Sequence, residues 1–287
     1  MSIVYFDAHC HWQDEWLSPH LEQIQLLAES LNVQRSVVNG THPGDWAAVA
    51  ALAATSPLVL PSYGVHPWWT ANLPADWLQQ LRQRLIQEPG AAVGEVGLDR
   101  WILDMARDRD LLVPRESAAG IEQQKGIFQS QLELAAELER PVTIHCLQAW
   151  GALDSVLRNC PRLPACGHLL HAYGGSLEMV NGFVERGAYF SFNTYFMHER
   201  KEDARAVFRA IPAERLLVET DAPAMPPPAS LIRYPLPLSD EGRVVNHPAN
   251  IVGAYAALAE LRGVSLETLA KTVAVNFARL FGGLVPA

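Results

Sequence analysis

Cysteine and lysine are scarce in this sequence, and long apolar runs are missing. The four cysteines include no C-x-x-C pair and are too few for a disulfide framework in a chain of 287 residues. No stretch reaches the ~18 consecutive apolar residues that a membrane-spanning helix needs. The start of the chain lacks the features of a signal peptide, because Asp7 and His9 interrupt its early apolar run. We therefore expect a cytoplasmic protein without a membrane partner.

The acidic composition limits the kinds of partner that the protein can bind. A formal net charge of −9 argues against a broadly basic surface for nucleic acid, but it is compatible with a locally positive site. Hydrophobic residues make up 49% of the chain and charged residues 18%, which excludes global disorder and predicts a large core. An α/β barrel fills this length as one unit, so we predict a single domain over residues 1–287. No sequence feature implies a protein partner.

Apolar, β-rich runs alternate with helical patterns along the whole chain. The predicted strands cover residues 3–7, 36–39, 59–65, 91–96, 142–145, 169–171, 189–192 and 216–220. The predicted helices cover residues 19–31, 45–55, 76–87, 123–139, 150–159, 176–185, 200–210, 250–261 and 265–281. Eight alternations without an internal linker predict an α/β fold of the (β/α)8 TIM barrel type, with a doubly wound sheet as the alternative.

Residues that bind metals occur where five of these strands end. In the first strand, side-chain alternation puts Asp7, His9 and His11 on one face and turns Cys10 away into the packing. The metal-ligand types at the strand ends are His9, His11, Glu95, His145, His171 and Asp221. Because the carboxyl ends of barrel strands meet at one mouth, we expect these side chains to form one site. Imidazole suits zinc, manganese, iron or nickel.

The motifs, taken in their order, resemble those of the TatD family of metal-dependent hydrolases. They are D-x-H-x-H at 7–11, G-V-H-P at 64–67, G-E-x-G-L-D at 94–99, P-V-x-I-H at 141–145, E-T-D-A-P at 219–223 and N-H-P at 246–248. The similarity spans essentially the whole chain. It implies a (β/α)8 barrel of the amidohydrolase superfamily, and the TatD enzymes in that superfamily include metal-dependent deoxyribonucleases.

The resemblance also implies two divalent ions at the mouth of the barrel. The implied ligands are His9, His11 and Asp221 for one ion and His145 and His171 for the other, with Glu95 as the bridge. Two carboxylates and a bridging hydroxide would leave about +1 from the two ions, so an anionic substrate can approach an acidic protein. Four imidazoles favour zinc or manganese over magnesium. An activated water would attack phosphorus or a carbonyl carbon, with Asp221 as its proton acceptor.

Four further residues are candidates for substrate contact. His66 follows the third strand at the same rim, and Asp99 is expected to orient either a ligand histidine or a substrate group. Arg200 and Lys201 follow the seventh strand, where their charges could meet phosphate.

Two long segments, residues 100–123 and 223–248, leave the carboxyl ends of strands and are predicted to be substrate walls or lids. A groove that tracks along DNA needs a lining of lysine and arginine, and this chain has only three lysines. We therefore predict a phosphodiesterase of the TatD deoxyribonuclease type that acts on DNA ends or short oligonucleotides. The alternatives are an amide, ester or lactone hydrolase, since the residues after His145 and His171 depart from the family pattern, and a metal-binding scaffold without turnover.

Overall fold

The computed structural model describes residues 3–104 and 117–282 of the chain. Eight parallel strands follow one another in chain order around a single sheet. The strands are β1 (Tyr5–Cys10), β2 (Val33–Asn39), β3 (Val59–Tyr63), β4 (Ala92–Asp99), β5 (Val142–Leu147), β6 (His168–Leu170), β7 (Ala188–Phe192) and β8 (Leu216–Val218). This architecture confirms the predicted (β/α)8 barrel.

Helices cover the outside of the sheet. They are α1 (Leu21–Ser30), α2 (Trp46–Thr55), α3 (Trp77–Gln87), α4 (Trp101–Asp104), α5 (Ile121–Glu137), α6 (Trp150–Asn159), α7 (Leu177–Glu185), α8 (Glu202–Ala210), α9 (Ile251–Arg262) and α10 (Leu266–Phe281). Ser265 caps α10 by accepting a hydrogen bond from the Thr268 N–H at 3.2 Å. Phe277 of α10 packs on Phe6 of β1 with ring centroids 4.7 Å apart, so the last helix covers the first strand.

β4 extends three residues further than the sequence predicted. It ends at Asp99 because it keeps pairing with β5, with Gly97 opposite His145. A Cβ at Gly97 would overlap the His145 carbonyl oxygen, and the φ of 144° at this position also favours glycine. As a result, Glu95 lies inside a strand that is paired on both sides.

Asp7 ties β1 to the segment that follows β8. The backbone N–H of Thr220 donates to Asp7 Oδ1 at 3.0 Å, and its hydroxyl donates to Oδ2 at 2.6 Å. Beside this contact, the Asp221 N–H donates to the His9 carbonyl oxygen at 2.9 Å. β8 is shorter than predicted because the chain turns toward β1 here, with a φ of 54° at Asp221. The turn brings the Asp221 side chain to the mouth of the barrel.

Cys10 is free and buried, as its alternation with polar neighbours predicted, and Cys146 beside His145 is also free and buried. Within residues 3–104 and 117–282, no helix combines the length and the apolar character required to cross a membrane. The extent of a single domain over residues 1–287 stays a prediction.

His168 begins β6 with a buried ring, and neither ring nitrogen has a hydrogen-bond partner among the described residues. Burial, together with the charges of Arg186 and Arg215, lowers the pKa of His168 to about 4. In the unfolded chain, histidine takes up a proton near pH 6.5. Because the unfolded state binds more protons, the free energy of unfolding falls as the pH drops from about 6.5 toward 4.

Replacing His168 with leucine should remove this loss of stability in acid. Between pH 7 and pH 5, the wild-type protein should lose about 2 kcal/mol more unfolding free energy than His168→Leu. Urea unfolding of metal-free protein at the two pH values measures the difference. His42→Leu serves as the control and should behave as the wild type. An equal loss in the wild type and His168→Leu would show that His168 does not cause it.

Candidate metal centre

Histidines and carboxylates from several strands meet at the carboxyl end of the barrel. Their ligand atoms form three overlapping groups, within each of which all the atoms lie within 4.8 Å of one another. The groups are His9 with His11 and Asp221, His9 with Glu95 and His171, and His66 with Glu95 and His145. The structure therefore brings all six predicted ligands together and adds His66. Among the described residues, no group includes His20, His42, His168 or His247.

The first set of donors comes from β1, β4 and the turn after β8. His9 Nε2 and His11 Nε2 are 3.1 Å apart, and they lie 3.5 and 3.6 Å from Asp221 Oδ1. Glu95 Oε2 is 3.3 and 3.2 Å from the same two nitrogens. Tetrahedral donors about 2.1 Å from one ion stand roughly 3.4 Å from one another. These five distances among the four atoms match the spacing of ligands around one divalent ion.

The second set of donors surrounds the other oxygen of Glu95. Glu95 Oε1 lies 2.9 Å from His171 Nε2 and 3.1 Å from His145 Nδ1, and the two imidazole nitrogens are 3.3 Å apart. Three protein donors leave a further position for water or substrate, which is typical of catalytic metal sites. Glu95 thus faces one set of donors with each of its oxygens.

In His11 and His145, the ring nitrogen that points away from Glu95 makes a hydrogen bond, and both hydrogen bonds are consistent with a role as metal ligands. His11 Nδ1 is 2.8 Å from the Asn39 carbonyl oxygen, which only accepts, so the proton lies on Nδ1 and Nε2 keeps its lone pair. His145 Nε2 is 3.0 Å from Asp99 Oδ2, which leaves the lone pair on Nδ1. In the neutral form of each ring, the nitrogen that faces Glu95 carries the lone pair that can bind a metal.

His66 has the opposite arrangement. The backbone N–H of Trp68 donates to His66 Nδ1 at 3.2 Å, which places the ring proton of a neutral His66 on Nε2. That nitrogen is 3.4 Å from Glu95 Oε1. A neutral His66 is therefore arranged as a hydrogen-bond donor at the edge of the site, and its contact with substrate stays a prediction.

Burial and the neighbouring charges act against each other on the titrating groups. Burial raises the pKa of Glu95, but the surrounding histidines outweigh it and hold the pKa well below its usual range. Burial disfavours a charged His145, but Asp99 and Glu95 raise its pKa to about 9. Asp221 and Glu95 likewise raise the pKa of His11 well above its usual value in spite of burial. An ion that binds here must displace protons from these histidines.

Asp99 is buried, and its carboxylate accepts hydrogen bonds from three protein groups. Oδ2 accepts from Trp68 Nε1 at 2.6 Å and from His145 Nε2 at 3.0 Å, while Oδ1 accepts from the Ile102 N–H at 3.0 Å. The expected contact with a ligand histidine is therefore present. A contact between Asp99 and substrate stays a prediction.

Asn39, Trp68 and Glu219 lie near the ligands, although no functional role was predicted for them from the sequence. Asn39 ends β2 behind His11, and Trp68 follows the G-V-H-P motif after β3. The Glu219 carboxylate accepts hydrogen bonds from the Ser191 hydroxyl and, at 3.2 Å, from Asn193 Nδ2. Their positions in the sequence could have pointed to them, because each residue ends or follows a strand at the mouth of the barrel.

Arg200 and Lys201 lie past β7 beside Tyr195 and outside the three groups of ligands. The Arg200 guanidinium carbon and Lys201 Nζ are 5.5 and 5.2 Å from the centroid of the Tyr195 ring. Arg200 also donates to the Tyr195 hydroxyl. One aromatic ring thus holds two cations at this rim. Their contact with phosphate stays a prediction.

The two long segments contact the turns around the mouth. The Ser117 hydroxyl donates to the Trp68 carbonyl oxygen at 2.6 Å, so the end of the first segment packs on the turn after β3. Residues 105–116, which include most of its mixed charges, lie outside the described residues. In the second segment, the Pro226 carbonyl oxygen is 3.3 Å from His198 Nε2. The described ends of the two segments therefore lie against turns at the mouth, and their role as walls stays a prediction.

Comparison with known proteins gives full-length matches. A family model described as TatD related DNase matches residues 6–282. YcfH of Escherichia coli K12, an uncharacterized metal-dependent hydrolase, is 28% identical over 278 residues, which cover 96% of this chain and 94% of YcfH. A Citrobacter koseri protein named 3′-5′ ssDNA/RNA exonuclease TatD is 30% identical over 263 residues, with 91% and 92% covered. The crystal structure of YjjV, a TatD homolog from E. coli K12, matches with a TM-score of 0.83 and 26% identity, covering 99% of this chain and 100% of YjjV.

Metal binding should release protons and weaken in acid. Since His145 has a pKa of about 9 and the pKa of His11 is also raised, both rings must lose a proton before they can bind an ion. As the pH falls from 8 to 6, the affinity for Zn²⁺ or Mn²⁺ should therefore decrease about tenfold per pH unit for every proton that the ion displaces. Calorimetry in buffers of different ionisation enthalpy counts the protons. Affinity that does not change over this range would contradict the assignment.

Proposed function

Since the chain belongs to the TatD family of metal-dependent hydrolases, we propose that it is a phosphodiesterase that cuts DNA ends or short oligonucleotides with a metal-activated water. The observation that carries this proposal is the position of Glu95, a buried carboxylate with imidazole donors facing each of its oxygens. This arrangement favours two divalent ions over one. Four imidazoles favour zinc or manganese over magnesium, which prefers oxygen ligands.

Two ions held there would supply an acidified water and would offset the charge of a phosphodiester. Glu95 keeps the two sets of donors at a fixed separation. Asp221 contributes Oδ1 to the first set and is buried, with 10% of its side chain accessible at the mouth, and we assign its carboxylate the role of taking a proton from the attacking water and returning it to the leaving group. His66 offers its Nε2–H to an oxygen of the substrate.

The rim beyond the ions suits a single strand. Arg200 and Lys201 supply positive charge on the side of β7, where a phosphate next to the cleaved one would lie. On the side of β3 and β4, the half-buried rings of Trp69 and Trp101 offer surfaces on which unpaired bases can stack. The relative from C. koseri is named as an exonuclease for single-stranded DNA and RNA. We assign to Asp99 the role of orienting the ring of His145. The location of the protein in the cytoplasm stays a prediction.

Substrate entry favours a strand end. Few positively charged side chains are available to bind successive phosphates of a strand. The sequence has three lysines, and its described arginines are largely paired with acidic groups. Affinity must then come from a few contacts near the ions. A terminal phosphodiester can enter between the walls of the mouth, whereas a stiff duplex would collide with them.

The proton acceptor can be tested with Asp221→Asn, since the amide keeps the shape of the side chain and loses its charge and basicity. With saturating metal, we expect kcat to fall about 10²- to 10⁴-fold with little change in melting temperature. Asp203→Asn, on the exposed start of α8, is the matched control and should keep wild-type kcat. Wild-type kcat in Asp221→Asn would exclude Asp221 as the proton acceptor.

The substrate can be tested by comparing a 5′-labelled single strand with covalently closed circular DNA in the same metal and salt. We expect shortening of the linear strand and little or no cutting of the circle. Equal or faster cutting of the circle would exclude a preference for ends. If neither DNA is cut while a lactone, ester or N-acyl amino acid is hydrolysed, the carbonyl-hydrolase alternative replaces the nuclease.

A further inference from the structure

The indole of Trp68 reaches the back of the second set of donors. Trp68 lies in the single turn Pro67–Trp69 that follows β3, and its Nε1–H donates to Asp99 Oδ2 at 2.6 Å. The same oxygen accepts from His145 Nε2 at 3.0 Å. We propose that Trp68 is a positioning residue for the metal centre. Its indole holds Asp99 in place, and Asp99 orients His145 so that Nδ1 of His145 faces an ion.

The chemistry of Asp99 makes this contact consequential. An ionised carboxylate only accepts hydrogen bonds, so its partner His145 must carry its proton on Nε2. The lone pair of His145 is then on Nδ1, 3.1 Å from Glu95 Oε1 and 3.3 Å from His171 Nε2. If Asp99 rotated, the ring of His145 would lose both its orientation and its preferred tautomer.

Asp99 is fully buried, and a buried carboxylate requires donors to keep its charge and its orientation. The Ile102 N–H fixes Oδ1, while Trp68 and His145 share Oδ2. Without the indole donor, Oδ2 keeps only the hydrogen bond from His145 among the described residues, and the carboxylate can turn about its Cβ–Cγ bond. Trp68 therefore acts on His145 through Asp99.

Trp68 is itself held in place by its neighbours. The Trp101 ring stacks on it with centroids 6.3 Å apart and planes 29° apart. The His66 ring meets it edge-on at 5.2 Å, and the Ser117 hydroxyl donates to its carbonyl oxygen at 2.6 Å. Packing from three different parts of the chain thus fixes the direction of the indole N–H.

The inference rests on the proposed centre of two ions, and it concerns only the ion on the side of His145. Trp68→Phe keeps an aromatic ring against Trp101 and removes the donor. The ion bound by His145 and His171 should then bind about 10- to 100-fold more weakly, while the ion bound by His9, His11 and Asp221 keeps its affinity. Trp77→Phe, at the start of α3, changes another indole, leaves the donors of Asp99 intact and should bind both ions as the wild type does.

The test is a titration of metal-free protein with Zn²⁺ followed by calorimetry and chelator competition, with visible absorption of bound Co²⁺ as a second readout. Melting temperatures of the metal-free proteins show whether each variant is folded. Trp68→Phe should lose affinity in one of two binding steps and should alter the Co²⁺ spectrum of that step only. Two wild-type steps in Trp68→Phe, or equal losses in both steps, would overturn the role of Trp68.

A double-mutant cycle separates positioning from general packing. Asp99→Asn should weaken the same step, and Trp68→Phe should add little to it in the double variant, because both act through one carboxylate. Additive losses would overturn the proposal. Fewer than two ions in the wild-type protein would instead contradict the proposed two-ion centre, so the two failures are distinguishable.

Discussion

Burial of the Glu95 carboxylate at the centre of a histidine cluster is the constraint on which the rest of this site depends. A buried charge is costly unless it is paired, and here imidazoles from β1, from the turns after β3 and β6 and from β5 supply the pairing. The arrangement requires β4 to continue past Glu95, and Gly97 makes that possible because a side chain there would overlap β5. The clustering of the candidate ligands, the shifted pKa values and the proposed bridge all follow from this one placement.

The residues around the ligands show how a barrel holds such a cluster rigid. The Asp7 carboxylate accepts hydrogen bonds from Thr220, in the turn after β8, and from the backbone N–H of the candidate ligand His9. Asn39 and Asp99 hold the outer nitrogens of His11 and His145. Each of these contacts joins two strands, so the stability of the barrel and the geometry of the site are supplied by the same hydrogen bonds.

Charge is distributed so that an acidic protein can accept an anion. The whole chain carries −9, yet the ligand cluster can hold cations at the mouth, and Arg200 and Lys201 lie on the rim. The local field near bound ions is set mainly by the ions themselves. A site of this kind suits a small or terminal phosphodiester better than a long duplex, which would meet the acidic surface over a larger area.

Motif order and side-chain alternation were enough to predict the barrel, the family and the identity of the clustered residues. Alternation along parallel strands with ends at one mouth requires that His9, His11, Glu95, His145, His171 and Asp221 meet, and the family match over residues 6–282 confirms the resemblance of their motifs. The contacts that each group makes could be read only from the folded chain. The division of Glu95 between two sets of donors, the tautomers of His66 and His145, and the contact of Trp68 with Asp99 depend on register and on side-chain orientation between distant strands. Those distances are fixed to within a fraction of an ångström by packing, and no local pattern in the chain encodes them.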